Sequence, residues 1–93
     1  MHTGGNMQMQ TTEIEQEIRS FLIEKFLFGR SEGLTDDVPL LGNVIDSQGV
    51  IELIVFVQER FAIEVGDEEV TTDNFASVKS VVNFIEKKLH SKN

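Results

Sequence analysis

The chain has 93 residues, a formal charge of −8 from 16 acids and 8 bases, and no cysteine, tryptophan or tyrosine. That length holds one small domain that buries roughly 60–65% of its unfolded surface, enough for a modest core but not for a deep enzyme cleft. Lack of cysteine excludes a disulfide framework, a thiolate metal site and a thiol nucleophile, and the acidic balance argues against nucleic acid, which needs a basic surface.

The charge is uneven. Residues 32–73 hold eleven acids and a single base, Arg60, whereas residues 74–93 are net basic. A field concentrated in this way can steer basic partners, although acidic surfaces also simply keep small proteins soluble.

Residues 1–11 read as a flexible leader, rich in glycine and polar residues and without the basic and apolar blocks of a signal peptide. A first helix is expected from Thr12, which forms a capping-box pair with Glu15. Ile14, Ile18, Phe21, Leu22 and Phe26 then recur at helical spacing, and Gly29 is a natural terminator. Residues 30–46 form a long connection, pinned to the core by Leu34, Val38, Leu40, Leu41, Val44 and Ile45. Loops of this length are uncommon in compact domains unless they carry function.

A second helix is expected over Ser47–Phe61 with Asp46 as its N-cap. Val50, Leu53, Ile54, Val57 and Phe61 make its apolar stripe, which Ile51, Val55 and Phe56 widen. Gln48, Glu52, Val55 and Glu59 share the face left for solvent. An acidic turn follows at Asp67–Glu69, read as solvated rather than as a metal site, and a short helical turn at Thr72–Phe75. The last helix has Ser77 as N-cap and Val78, Val81, Val82, Ile85 and Leu89 on one face, with Phe84 beside it. Lys87, Lys88 and His90 complement its negative pole. The expected fold is all-α: a small up-and-down four-helix bundle of three main helices and one short one. The domain spans 12–89 and a tail spans 90–93. No stretch is long and apolar enough to cross a membrane.

The segment Asp46-Ser47-Gln48-Gly49-Val50-Ile51-Glu52-Leu53 opens an apolar helix after a long loop. With Pro39-Leu40-Leu41 before it, and Phe61-Ala62-Ile63-Glu64-Val65 and Asn74-Phe75-Ala76-Ser77-Val78 after it, the chain resembles the acyl carrier protein and peptidyl carrier protein family. The resemblance covers about residues 12–89. It implies that Ser47 is the attachment point of 4′-phosphopantetheine from coenzyme A, with Asp46 completing the motif. The arm's thiol holds acyl or aminoacyl groups as thioesters for fatty-acid, polyketide or related specialised biosynthesis. It further implies a cytoplasmic, monomeric, non-catalytic carrier. Its partners would be a phosphopantetheinyl transferase and acyl- or aminoacyl-activating ligases, ketosynthases or acyltransferases with basic patches. By position Gln48, Glu52, Val55 and Glu59 are the partner-binding strip, the alternative being a solvated face with one exposed valine. The chemistry of the position agrees, because a phosphodiester on Ser47 sits in a first helical turn, where free N–H groups favour an anion.

The chain departs from the family's pattern at Gln48, Gly49, Gln58 and Arg60, the first often Leu and the others often acidic in fatty-acid carriers. That leaves the recognition helix less negative than the total charge and leaves room for a dedicated pathway. Three blander readings stand beside the carrier. Ser47 is a routine first-turn residue, or a catalytic nucleophile whose only histidine bases, His2 and His90, lie in the tails. Alternatively, the protein is an acidic helical adaptor that binds a basic partner without a prosthetic group.

Overall fold

Three amphipathic stretches become three helices in the computed structural model, which describes residues 10–90. They are α1 (Thr11–Phe26), α2 (Ser47–Phe61) and α3 (Val78–His90), with a 3₁₀ turn at Asp67–Glu69. The expected leader and tail fall outside the described residues, except for Gln10, Thr11 and His90. The architecture is the all-α bundle the periodicity predicts, and the short fourth element is this single 3₁₀ turn. At Thr72–Phe75 one α-type hydrogen bond forms, from Phe75 N–H to Thr71 C=O at 3.2 Å, and the turn goes no further.

The first turn of α1 differs from expectation. Its cap is Gln10, whose N–H donates to the Glu13 carboxylate at 3.0 Å, rather than the pair Thr12 and Glu15. The Glu15 carboxyl is raised from its ordinary value, first by desolvation and then by the neighbouring Asp36 carboxyl. At the other end Leu27 and Gly29 both donate their N–H groups to the Ile23 carbonyl, at 3.2 and 3.0 Å. Gly29 takes φ +86°, the left-handed backbone that glycine adopts cheaply.

Ile14, Ile18 and Leu22 from α1 meet Leu53, Val57 and Phe61 from α2 and Val78, Val81, Val82 and Ile85 from α3 in one buried core. Removing each such side chain from water contributes about 1.5–3 kcal/mol before ordering costs. Phe21 and Phe56, both half-buried, stack across the α1–α2 seam with ring centroids 4.2 Å apart. The long loop is pinned by Leu34, Leu40 and Ile45, which are buried, with Val38 and Val44 half-buried beside them. Leu41 does not join them. It stands 58% exposed, because residues 40–45 fold into a tight turn, closed by Ile45 N–H to Leu40 C=O at 3.0 Å, that turns Leu41 outward.

The loop also meets the start of α3 through its backbone. Leu40 N–H donates to Ala76 C=O at 2.8 Å, and Lys79 N–H donates to Asp36 C=O at 3.0 Å. The second bond satisfies a first-turn donor that the helix itself cannot satisfy. Ser77 serves as predicted, its hydroxyl accepting from Ser80 N–H at 3.2 Å.

Candidate functional site

Helix α2 begins where the sequence places it. The Asp46 carboxylate accepts the Gly49 N–H at 2.8 Å, and its carbonyl accepts the Val50 N–H at 3.0 Å, which fixes the first turn. Ser47 is therefore the first helical residue. It is exposed, and its hydroxyl makes no hydrogen bond to another described residue. The N–H groups of Ser47 and Gln48 point out of the helix end without an intrahelical acceptor.

Gly49 explains one departure from the family's pattern. A Cβ built there would lie 2.8 Å from the Ile45 Cβ, closer than real contacts allow, and a tight 3.1 Å from a Phe26 ring carbon. The glycine lets the start of α2 settle onto the end of α1 and the loop. Gln58 and Arg60, also departures, carry structural bonds. The Gln58 side-chain oxygen accepts from Val65 N–H at 2.9 Å, and Arg60 grips Glu17 of α1 with two bonds of 3.0 and 2.8 Å. That guanidinium holds the Glu17 carboxyl below the ordinary range. Glu69 is lowered too, first by the Gly66 N–H and then by Lys88 of α3. The acidic turn is thus bonded to its surroundings at Glu69, while Asp67 and Glu68 are exposed.

Ser47 stands at the lip of an open groove of about 530 Å³. One wall is Val50 and Ile51 of α2, another is Leu41 of the loop, and the third is Val70, Thr71 and Phe75. Among the described residues no histidine or lysine lines this groove, and His90 lies with Asn83, Glu86 and Lys87 at the far end of α3.

The predicted partner strip is only partly as expected. Gln48 and Glu59 are exposed and Val55 is 46% exposed, but Glu52 is half-buried, with its carboxylate 3.7 Å from the Lys25 ammonium. Ile51, expected to widen the buried stripe, is 55% exposed. At about 100° per residue the order around α2 runs Ser47, Ile51, Val55, Gln48, Glu59 and Glu52. The open arc runs from Ser47 through Ile51 and Val55, and Glu52 is its edge against α1. The four-residue steps from Ser47 to Ile51 to Val55 were the available signal.

An all-α bundle with a bare serine opening its second helix beside an apolar groove is the build of a small carrier domain. The comparisons agree. The chain is 35% identical over 80 residues to an acyl carrier protein of Akkermansia muciniphila, covering 85% of this chain and 96% of the relative. To an acyl carrier protein of Buchnera aphidicola it is 34% identical over 76 residues, 81% of this chain and 91% of the relative. A probable acyl carrier protein, PigG, of a Serratia species is 28% identical over 75 residues, 80% of this chain and 86% of the relative. No protein-family model matches the chain. The chain belongs to the acyl carrier protein family, and with it goes a carrier role. The family as a whole uses a phosphopantetheine arm and biosynthetic enzymes as partners. Among the described residues no helix is long and apolar enough to cross a membrane.

Proposed function

We propose that Ser47 is the attachment residue for 4′-phosphopantetheine and that the protein carries acyl or aminoacyl groups between biosynthetic enzymes in the cytoplasm. The observation that carries this reading is the Ser47 hydroxyl, exposed and unengaged at the first position of α2 beside an apolar groove. The residues present fit the group. Unused N–H groups at the helix start favour its phosphate, and the groove offers an apolar wall with Thr71 at its edge. When attached, the arm supplies the thiol that holds cargo as a thioester, which this cysteine-free chain cannot supply itself.

The chain's own residues do the rest. Asp46 holds the first turn so that Ser47 faces outward, and Gly49 lets that turn seat on Phe26 and Ile45. Among the described residues no histidine or lysine lines the groove beside Ser47 as a general base would. This supports carriage by the protein and chemistry by its partners: a phosphopantetheinyl transferase first, then ligases, acyltransferases or ketosynthases. The carrier domain is residues 12–89, between the leader and the tail, acting as a monomer.

Incubation with coenzyme A and a broad-specificity phosphopantetheinyl transferase, followed by intact-mass measurement, tests the reading. One added arm per chain, lost in Ser47→Ala, is expected. An undiminished gain in that variant, or no gain with several transferases, overturns it and leaves the adaptor reading.

A further inference from the structure

The groove beside Ser47 has walls of two kinds. Val50 and Ile51 stand on a helix, whereas Val70, Thr71 and Thr72 belong to a strap, residues 66–76, that runs from the 3₁₀ turn to the start of α3. Those three wall residues are exposed, so packing does little to hold them and the ends of the strap must do it. At the α3 end Phe75 is buried in the core. At the other end the bonds converge on Glu69. Its carboxylate accepts the Gly66 N–H at 2.8 Å and the Lys88 ammonium of α3 at 3.0 and 3.1 Å. Its carbonyl accepts the Asn74 side-chain N–H at 2.8 Å and the Thr71 N–H at 2.9 Å.

Lys88 is itself held in place. Its nitrogen lies 5.9 Å from the centroid of the buried Phe84 ring, which keeps the ammonium where Glu69 meets it. The Lys88 and Glu69 side chains are only 27% and 28% exposed, so water and salt screen this pair less than a surface pair. Charge-assisted bonds to both carboxylate oxygens are also the stronger kind. Val70 follows Glu69 in the chain, so the wall goes where Glu69 goes.

We infer that Glu69 and Lys88 are positioning residues, a side-chain clasp that holds the strap to α3 and so keeps the groove's third wall over whatever the arm carries. The end of the strap at Phe75 is fixed by burial, and the end at Glu69 is the one that lets go. The inference rests on Ser47 as the attachment residue, since only then does the groove have cargo to shelter. With the clasp closed, an acyl chain lies against the apolar wall and water reaches its thioester less. With the clasp open, hydroxide adds to the thioester carbonyl carbon more readily. The C–S bond then breaks, leaving a carboxylate and the free thiol.

Amide hydrogen exchange in the unloaded chain reads the clasp directly. The N–H groups of Gly66, Val70 and Thr71 are all bonded within the strap, in a single turn too short to persist once the strap lifts. They are expected to exchange through an opening that urea barely promotes, whereas Val57, buried in α2, should follow the steep urea dependence of global unfolding. Lys88→Met keeps an apolar stem on Phe84 but loses the charge, and should speed exchange at those three amides by about tenfold. Lys88→Arg, which keeps the charge, should stay within about twofold of wild type. The loaded chain reports the consequence. After transfer of octanoyl-pantetheine from octanoyl-coenzyme A, thioester hydrolysis at mildly alkaline pH is followed by intact mass. It should be several-fold faster in Lys88→Met than in wild type and unchanged in Lys88→Arg. Arg60→Met removes an ion pair of the α1–α2 seam instead and should keep the wild-type lifetime, which separates a lost wall from a less stable bundle. Strap amides that share the urea slope of Val57, or that ignore Lys88→Met, overturn the clasp. So does an octanoyl lifetime equal in wild type and Lys88→Met, or one that Arg60→Met shortens as much. If wild type gains no arm, the attachment reading falls by itself, and exchange in the unloaded chain still decides the clasp.

Discussion

The two sides of α2 use the same kinds of residue for opposite ends. On the side facing α1, charge is spent on structure: Arg60 holds Glu17, Lys25 approaches Glu52, and Gly49 lets Phe26 and Ile45 come close. On the side bearing Ser47, apolar side chains stay in water and no ion pair crosses among the described residues. One helix thus separates a face that holds the bundle together from a face left open beside Ser47. Net charge alone says nothing of this division, since the acids that count on paper are partly consumed by internal pairs.

Substitutions on each side should separate function from stability. The largest effect is expected at Ser47, where Ser47→Ala should abolish arm loading by intact mass while leaving the urea midpoint near wild type. Leu53→Ala, in the core between the two faces, should destabilise by about 2–5 kcal/mol in urea unfolding, the usual loss for emptying a buried leucine site. Gly49→Ala probes the seam. Alanine is the better helix former by about 1 kcal/mol, yet its Cβ meets Ile45 and Phe26, and a net loss of about 1–3 kcal/mol is expected. A stabilised Gly49→Ala would mean that the seam relaxes and the glycine serves something else.

The smallest effects are electrostatic and differ in sign between two acids of α1. Glu17 has its pKa lowered in the fold by Arg60. The unfolded chain therefore takes up its proton first as pH falls below about 4.5, and the stability this pair adds is present above that value and lost through the lower folded one. Glu15 has its pKa raised, so the native state holds its proton longer. Its contribution is present below about 4.5 and lost as pH rises through the folded value. Urea midpoints measured from pH 3 to about 7 should therefore show Glu17→Gln flattening the acid-side loss, and Glu15→Gln gaining relative stability toward neutral pH. Both groups are only half-buried, so solvent screening keeps the changes small. Equal slopes in the two variants would remove the distinction.

Much of this was legible in the residues. Asp46 before Ser47, and Ser77 before Val78, are local caps whose bonds depend on three or four neighbouring positions, and both helices start where those caps put them. The apolar stripes named most of the core for the same reason. What escaped depends on which neighbour lies across a gap. Thr12 and Glu15 have capping-box spacing, but the helix starts a residue earlier and its cap is Gln10 with Glu13. Ile51 and Leu41 are as hydrophobic as any core residue, and only the placement of the loop and of residues 70–76 decides that nothing covers them. The partners of Arg60 and Gln58 are likewise long-range, so the departures of those two residues from the family's pattern became intelligible only with the bundle in view.

The two backbone bonds from the long loop to the start of α3 have a mechanical consequence for the groove. Leu40 and Ala76, adjacent to the lining residues Leu41 and Phe75, are stitched together at 2.8 Å. Opening the groove at that corner leaves a backbone donor and acceptor unmade, at about 1–3 kcal/mol for a buried pair. The opposite corner, where Thr71 and Thr72 are exposed, carries no such stitch to α2. The groove is therefore a purse sewn at one end, and it widens more readily by lifting residues 70–72 than by displacing the loop. Amide hydrogen exchange slower at Leu40 than at Thr72 is the mark of that asymmetry.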